Sequence, residues 1–391
     1  MPRSVTVALG LPPAPGPSSH AVQAGGWVFT AGLLGLDRAG EIAGPSRGDA
    51  GAQTRRAIDN LAIALDALGV PLAHVAKIKG YLTDFRHAHA YNAAYREAFA
   101  PPWPARATVG AGLVRDHALV ALEATAAVGG PPRAVRPAAR AEPPVPLTQG
   151  MQAAGVLFAS GQLARDASGA LIGRGDLRAQ AEQALDNLGT VLDAAGLDFT
   201  DVVKINATVP DWTGLSRYHE TLGKYFADPL PARAIMQGAP GVEGMLIEIE
   251  AVAVGGPRRV VSPDLAPGWR GVEVGTLVHL AGEADAPSGR LGAPSDVGVQ
   301  TRRALEGLRL CLEALGGRLD DIVKTNVTLT DPRLVPAFDE EYRTFFTPPY
   351  PARSTVVGGL ARERMLVEIE AVAVLGAAQD AIAVTGPANP A

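Results

Sequence analysis

The run IEIEAVAV, residues 247–254, decides the fold of this chain, because it returns as VEIEAVAV at residues 367–374. Glutamate alternates with apolar residues at the start of both copies, and a period of two is typical of a β-strand with two different faces. A weaker third copy, LVALEATAAV, lies at residues 119–128. A spacing of about 120–130 residues is the size of a whole domain and exceeds that of a solenoid repeat. The chain is therefore predicted to hold three homologous domains.

Other motifs keep the same spacing when the comparison is extended outward from these runs. Pro-Ala-Arg occurs at residues 104–106, 231–233 and 351–353, and a lysine follows an apolar stretch at Lys77, Lys204 and Lys324. Each lysine is preceded by a helical pattern that ends near a glycine. Each repeat is predicted to run from short strands to a helix, a strand around the lysine, a second helix and two closing strands. This order indicates an α+β fold.

The second helix of each repeat carries aromatic residues three or four positions apart, as in Tyr91, Tyr95 and Phe99. This stripe is predicted to face the core. We expect domains at residues 1–130, 145–256 and 264–377. The Gly-, Pro- and Arg-rich segments at 129–146 and 255–267 are predicted to be linkers, and the tail after residue 377 is predicted to be loose.

Composition limits the functional classes. The chain has 391 residues, a net charge of −5 and a single cysteine, Cys311, so an intrachain disulfide and a four-cysteine zinc site are excluded. Cys311 lies in an apolar helical run and is predicted to be a core residue. There is no run of about 18 apolar residues, so no membrane span is expected. The acidic balance disfavours nucleic acid as a partner. We expect a cytoplasmic protein with no cofactor and no metal.

The closing strands carry the clearest chemical pattern. Glu248 follows Arg233 at the same spacing at which Glu368 follows Arg353, and a glycine-containing turn lies between arginine and glutamate in each case. If the two strands form a hairpin, each arginine lies opposite its glutamate. A second glutamate two positions further on, Glu250 in repeat 2, would share the same face.

Two interpretations of this cluster remain open. It is a cross-strand ion pair, worth about 0.2–1 kcal/mol, or it is an anion site in which a guanidinium holds a carboxylate and a glutamate directs water. Repeat 1 has Arg106, but Ala121 stands at the place of the glutamate. Glu123 could still reach that arginine diagonally. The missing acid weighs against an ion pair needed equally in all repeats.

These residues resemble the RidA/YjgF family of small trimeric enamine and imine deaminases. The resemblance covers nearly the whole chain and rests on several short motifs at matching spacing. They are Ser160-Gly161-Gln162, Asp186-Asn187-Leu188, Asp201-Val202-Val203-Lys204, the three Pro-Ala-Arg motifs and the two Glu-Ile-Glu runs.

The resemblance implies three chorismate-mutase-like domains, each a mixed sheet with two helices on one face. Family members are trimers with a ligand cleft at each interface, so the three repeats would form an intrachain pseudo-trimer. By resemblance, the arginine holds the substrate carboxylate and the first glutamate handles the water that converts an imine into a keto acid and ammonia. These catalytic roles fall on Arg233, Glu248, Arg353 and Glu368, and substrate binding falls on Arg106, Ser160, Gly161 and Asn92.

Each repeat departs from the family pattern. Repeat 1 has Ala31-Gly32-Leu33 in place of Ser-Gly-Gln, and repeat 3 has Ala281-Gly282-Glu283. The cleft tyrosine of the family has no clear match, since Ser18, Leu147 and Trp269 lie near its place. The helix asparagine is matched only by Asn92. No single repeat holds the full set, although one composite site can be assembled from two repeats.

The leading functional hypothesis is a hydrolytic deaminase of small carboxylate-bearing imines or enamines, resembling 2-iminopropanoate, at an interdomain cleft. Its partner would be a small molecule, and the chain would act as a monomer. One alternative is a small-molecule binder that has kept the fold without catalysis. Another is a specialised biosynthetic enzyme with a reshaped cleft.

Overall fold

The computed structural model describes residues 4–7, 10–14, 16–44, 46–138, 140–264, 269–282, 296–377 and 382–385. Within these ranges the chain forms three mixed β-sheets and six long α-helices, two helices to each repeat. This architecture confirms the predicted α+β class with three domains. None of the helices in these ranges has the length and apolar character that a membrane crossing requires.

The elements of each repeat follow one order. Repeat 1 contains β1 (Ser4–Val7), β2 (Ala21–Ala24), β3 (Trp27–Thr30), β4 (Leu33–Leu34), α1 (Ala50–Asp66), β5 (Val75–Leu82), α2 (Ala88–Ala98), β6 (Ala105–Gly110), β7 (Gly112–Leu113) and β8 (Val120–Ala127). Repeat 2 contains β9 (Arg133–Val135), β10 (Gly150–Ala153), β11 (Val156–Ala159), β12 (Gln162–Leu163), α3 (Leu177–Ala195), β13 (Val202–Val209), α4 (Leu215–Tyr225), β14 (Ala232–Gln237) and β15 (Glu248–Val254). Repeat 3 contains β16 (Arg259–Val261), β17 (Trp269–Val274), β18 (Leu277–Gly282), α5 (Val297–Ala314), β19 (Ile322–Leu329), α6 (Val335–Phe345), β20 (Ala352–Val357), β21 (Val367–Val374) and β22 (Ile382–Thr385).

The first helix of each repeat begins at an aspartate. The side chains of Asp49, Asp176 and Asp296 accept hydrogen bonds from backbone N–H groups of the first turn, which satisfies donors that have no partner inside the helix. Helix α3 ends at Gly196, whose φ of 75° is in the left-handed region. The predicted helix end near this glycine is confirmed.

The sheet order corrects the predicted hairpin. In repeat 2 the order is β14-β13-β15, so the lysine strand β13 lies between the strands of Arg233 and Glu248. Strand β14 follows the crossover helix α4 and joins β13 in parallel, whereas β15 pairs with β13 antiparallel. Arg233 therefore does not face Glu248. Repeat 3 has the same order, so the Arg353–Glu368 pairing is wrong for the same reason.

The central strands present two different faces. On β5, Ile78 and Leu82 belong to the core under helices α1 and α2, while Lys77 and Lys79 line a cavity on the opposite face. The strand pairing shifts register between Val75 and Lys77, and again just before Lys204 and Lys324. A bulge of this kind redirects the side chains that follow it. It lies directly before each repeated lysine.

The aromatic stripes are core residues, as predicted. Tyr91, Tyr95 and Phe99 pack with α1 in repeat 1, and Phe338 and Tyr342 belong to the corresponding core of repeat 3. Cys311 is fully buried in the core of repeat 3, which also confirms its predicted place.

The segments predicted as linkers contribute strands. β9 pairs with β10, and β16 pairs with β17, so each extends the sheet of the repeat that follows. β22, in the tail predicted to be loose, pairs in parallel with β1. Strands of three or four residues carry too little periodicity to be recognised from sequence. The limits 1–130, 145–256 and 264–377 remain predictions, and we propose that repeats 2 and 3 begin at Arg133 and Arg259.

The three repeats contact one another through the faces opposite their helices. One apolar cluster contains Phe29 of repeat 1, Phe158 of repeat 2 and Val323 of repeat 3. The repeated lysine of each repeat forms an ion pair with the next repeat, and these three pairs follow the order 1 to 2, 2 to 3 and 3 to 1. They are Lys77–Glu250 at 2.7 Å, Lys204–Glu370 at 2.6 Å and Lys324–Glu123 at 2.8 Å. The contacts between repeats therefore close into a ring.

Candidate functional site

The repeated arginine of one repeat meets the next repeat in the ring. The backbone N–H of Arg106 donates to the Ser160 hydroxyl at 2.8 Å, and the Gly161 N–H donates to the Arg106 carbonyl at 3.0 Å. Glu248 of repeat 2 accepts a hydrogen bond from the backbone N–H of Thr108 in repeat 1. We call this region cleft 1/2. It brings together residues that lie far apart in the sequence.

Arg106 is held as a buried cation in cleft 1/2. It lies on β6, is 4% exposed, and its guanidinium carbon is 5.1 Å from the Tyr91 ring centroid and 4.9 Å from that of Tyr95. These distances are within the range of cation–π contacts. Its Nε and Nη1 have no hydrogen-bond partner among the described residues. Buried polar groups are normally paired, so this guanidinium is prepared to receive an acceptor.

Helix α2 carries a further buried polar group next to Tyr91, one of the rings that contact Arg106. Asn92 follows Tyr91 in that helix, and its buried Oδ1 has no partner in the described part of the chain. The residue that matches it in repeat 3, Asp339, contacts the matching arginine directly. Asn92 therefore lies at the position from which α2 reaches the arginine.

The turn after β11 supplies the opposite wall. The Ser160 hydroxyl accepts from the Arg106 N–H and donates to the Thr148 carbonyl at 2.5 Å. Gly161 lies against Glu248, and a Cβ atom at this position would overlap Glu248 Oε1. Glycine is needed here because the carboxylate approaches the backbone so closely.

Glu248 is the first residue of β15 and is 7% exposed. Burial raises the pKa of its carboxyl to about 8, and the negative charge of Glu250 adds to the rise. Lys77, Lys79 and the Thr108 N–H act in the opposite direction without cancelling it. A carboxyl with this pKa can take up and release a proton near neutral pH.

Glu250 is a charged neighbour of Glu248. Burial would raise its pKa, but Lys77 and Lys79, each 2.7 Å away, outweigh burial and hold the pKa of Glu250 well below its usual range. Lys77 also donates to the Ala159 carbonyl at 2.7 Å. This lysine therefore holds the strand end that leads into Ser160.

Cleft 3/1, between repeats 3 and 1, has the same backbone arrangement with different side chains. Arg353 lies 5.2 Å from the ring centroids of both Phe338 and Tyr342, and the Gly32 N–H donates to its carbonyl at 3.2 Å. Its guanidinium forms an ion pair with Asp339 at 2.7 Å. Ala121 occupies the position of Glu248. The arginine in this cleft already has an internal anion.

Among the described residues Glu123 forms no ion pair with Arg106, the arginine of its own repeat. The diagonal contact considered from the sequence is therefore not formed. The Glu123 carboxylate pairs with Lys324 at 2.8 Å and accepts from Asn326 at 2.7 Å, both in repeat 3. It also accepts a hydrogen bond from Ser354. Its role is at the junction between repeats 3 and 1.

Cleft 2/3 keeps an arginine and a glutamate from different repeats. Arg233 is half-buried, and Glu368 lines a cavity with Ala234 and Met236 of the Arg233 strand. Ala281 stands in the place of Ser160, and Glu283 lies outside the described residues. Burial lowers the pKa of Arg270, and the nearby positive charge of Arg233 lowers it further, so this cleft has two neighbouring guanidinium groups.

The predicted site residues are thus grouped by junction and not by repeat. Arg106, Asn92, Ser160, Gly161 and Glu248 gather in cleft 1/2, and the other two arginines lie in separate clefts. The sequence contains one indication of this grouping, because the family residues absent from one repeat are present in the other. Repeat 1 lacks the serine and the acid, and repeat 2 lacks the asparagine.

The sequence did not predict a site role for Thr108, for the ring pair Tyr91 and Tyr95, or for Asp339. Trp269 packs on Gly307 in its own core and so does not replace the cleft tyrosine.

Comparison with known proteins identifies the family of the repeated domain. The family model for endoribonuclease L-PSP matches the chain at residues 11–128, 137–255 and 265–375. A human (Homo sapiens) 2-iminobutanoate/2-iminopropanoate deaminase is 38% identical over 117 residues, covering 30% of this chain and 85% of that protein. The rat (Rattus norvegicus) protein of the same name is 44% identical over 101 residues, covering 26% and 74%. The crystal structure of RidA from an Antarctic Psychrobacter is 27% identical with a TM-score of 0.30, covering 32% of this chain and 99% of that one. The chain belongs to the RidA/YjgF family, the family of endoribonuclease L-PSP, and carries three copies of its domain.

Proposed function

We propose that the protein hydrolyses small α-imino carboxylates, and the enamines from which they form, at cleft 1/2. The observation that carries this proposal is a buried guanidinium with two unpaired nitrogen atoms among the described residues, that of Arg106, in the same cleft as Glu248. Two relatives that bear the name 2-iminobutanoate/2-iminopropanoate deaminase support this class of substrate.

Substrate binding is assigned to Arg106. The N–H groups of a guanidinium match the two oxygens of a carboxylate, and such paired hydrogen bonds are strong in a site shielded from water. The rings of Tyr91 and Tyr95 pack against the guanidinium and support its position. Contact with the polar end of the bound molecule is assigned to the Asn92 amide, whose Oδ1 has no partner among the described residues.

Hydrolysis is assigned to Glu248 and a water molecule. The ionised carboxylate accepts a proton from water as the oxygen bonds to the carbon of the protonated imine, which gives a neutral carbinolamine. Glu248 then gives this proton to the amine nitrogen, and the carbon–nitrogen bond breaks as the hydroxyl proton passes to Glu248. Glu248 transfers that proton to the departing ammonia, so ammonium and a keto acid leave and the carboxylate is ionised again. A pKa near 8 suits a group that both accepts and donates protons in one cycle.

Cleft 3/1 is assigned no hydrolytic role, because it has Ala121 in place of the acid and an arginine paired with Asp339. This observation favours the non-catalytic alternative for that cleft alone.

We further propose that the repeats surround a pseudo-threefold axis and that one chain completes the assembly. The closed ring of ion pairs supports this arrangement, because each repeat is joined to both others. Light scattering should give a mass near the chain mass of 40.3 kDa, or twice that if two such chains associate. A stable species of three chains would refute it.

The functional proposal is tested with 2-iminopropanoate generated in situ and an assay for ammonia. Arg106→Ala should lower kcat/KM on the order of 100-fold, since it removes a paired, charged hydrogen bond. Arg353→Ala is the matched control and should leave the rate within about twofold of the parent. Equal losses in the two variants, or none in Arg106→Ala, would reject the assignment to cleft 1/2.

A further inference from the structure

A cavity of about 120 Å³ lies where the three sheets meet, and we call it the axial cavity. Residues of all three repeats line it. The residues assigned to substrate binding and hydrolysis in cleft 1/2 do not, so the axial cavity is a separate space.

The charges in this cavity do not balance. Among the described residues that line it, four lysines face three glutamates. Glu370 and Glu123 each pair with one lysine of the neighbouring repeat, whereas Glu250 pairs with both Lys77 and Lys79 at 2.7 Å. Two lysine charges therefore share the single carboxylate of Glu250.

The additional charge comes from a single position. Lys79 is opposite Glu123 in the strand register, and the matching residues opposite Glu250 and Glu370 are Asn206 and Asn326. Buried charges are costly unless they are paired. Among the described lining residues the four lysines exceed the three glutamates by one positive charge, and Lys79 is the source of that excess.

The aromatic residues of the cavity also break the repeat. Phe29 and Phe158 occupy matching positions, and repeat 3 has His279 there. His279 is 8% exposed, and its Nε2 has no hydrogen-bond partner within the described part of the chain. Burial, with a contribution from Lys204, lowers the pKa of this imidazole to about 3. The His279 imidazole is therefore neutral near pH 7, so its unpaired Nε2 adds a polar atom to the cavity without adding a charge.

We propose that the axial cavity binds a small organic monoanion whose carboxylate lies at Lys79 and whose flat apolar body packs against Phe29 and Phe158, within reach of His279 Nε2. This inference is independent of the proposed deaminase activity. The additional positive charge of Lys79 and the two rings of Phe29 and Phe158 indicate that the ligand is an arylcarboxylate or a similar molecule.

The probe is 4-bromobenzoate, titrated into the full chain by isothermal calorimetry. We expect one site that weakens at least tenfold in Lys79→Asn, the size of losing a hydrogen bond to a charged group. Arg106→Ala should bind with unchanged affinity, because its guanidinium is in cleft 1/2. Asn is the residue of the other two repeats at this position, so Lys79→Asn should fold, as thermal melting will show. His279→Phe provides a second variant and should weaken binding several-fold.

The anomalous signal of bromine in a co-crystal locates the probe. A peak beside Phe29 and Phe158 is the expected result. Any of four results would overturn the inference. They are no binding to the parent protein at millimolar probe, parental affinity in Lys79→Asn, loss of binding in Arg106→Ala, and a bromine peak in one of the clefts.

Discussion

Clefts 1/2 and 3/1 share one scaffold and differ in two side chains that decide what their arginines can do. Both arginines lie against two aromatic rings of the preceding helix and touch the next repeat through the backbone. In cleft 1/2 the helix offers Asn92 and the opposite strand offers Glu248. In cleft 3/1 the helix offers Asp339, and the acid is replaced by Ala121.

The difference shows that the location of an acid matters more than its presence. An acid on the helix neutralises the arginine, as Asp339 does for Arg353. An acid on the strand leaves the arginine free and takes its own contacts from the neighbouring repeat, as Glu248 does through Thr108. The variants below break or restore this distinction one side chain at a time.

The largest effect is expected from Glu248→Gln, because an amide cannot shuttle protons. We expect kcat for ammonia release to fall by about 10²–10⁴-fold. Glu368→Gln, in cleft 2/3, is the control and should retain the parental rate. A reversal of these results would move the chemistry to cleft 2/3.

Gly161→Ala should follow, since the added Cβ overlaps Glu248 Oε1. Displacement of a catalytic group by about 1 Å can cost about 10²-fold. The matched change in cleft 3/1 is Gly32→Ala, whose Cβ would lie 3.0 Å from Ser354 Oγ, and it should leave kcat/KM unchanged. Parental activity in Gly161→Ala would show that Glu248 has no fixed position.

Asn92→Asp should give cleft 1/2 the ion pair of cleft 3/1. An aspartate beside Arg106 competes with the substrate carboxylate, so KM should rise by about 10–100-fold, the value of a hydrogen bond to a charged group. Asp339→Asn removes the corresponding pair from cleft 3/1 and should leave KM unchanged. If KM is constant in Asn92→Asp, the helix position does not control the arginine.

The smallest expected effect is a shift in the midpoint of the pH profile, which we predict for Lys79→Asn. Glu248 must be ionised to accept a proton, and its raised pKa places that form above about pH 8. The value of kcat/KM should therefore rise with pH, about tenfold per unit below pH 8, and then level off. In Lys79→Asn the midpoint should move upward, because Lys79 lowers this pKa. A profile that is flat between pH 6 and 9 would contradict the proton transfer assigned to Glu248.

Periodicity and repeated motifs were sufficient to predict the number of domains, the helices and the core-facing aromatic stripe. They did not reveal that β13 lies between the strands of Arg233 and Glu248, because strand order depends on pairing between distant segments. The shared arginine-to-glutamate spacing with a central turn is equally compatible with a hairpin and with this arrangement.

The composite site was only partly predictable. Its members could be named from the resemblance, but the choice of junction depends on the order in which the repeats meet. Asp339 gave no indication in the sequence, since it lies on helix α6 and a crossover connection separates it from Arg353 on β20. Only its alignment with Asn92 would have identified it.

The ring of three ion pairs has a consequence for how much damage the assembly tolerates. Each pair joins two repeats of one continuous chain, and a tether keeps the effective concentration of a partner in the millimolar range or above. Loss of one pair therefore weakens one seam, while the other two seams and the tethers keep the repeat in place. In a ring of identical separate chains, the same substitution would be present at every seam. Tethering thus allows the side chains of each junction to change independently of those at the other two.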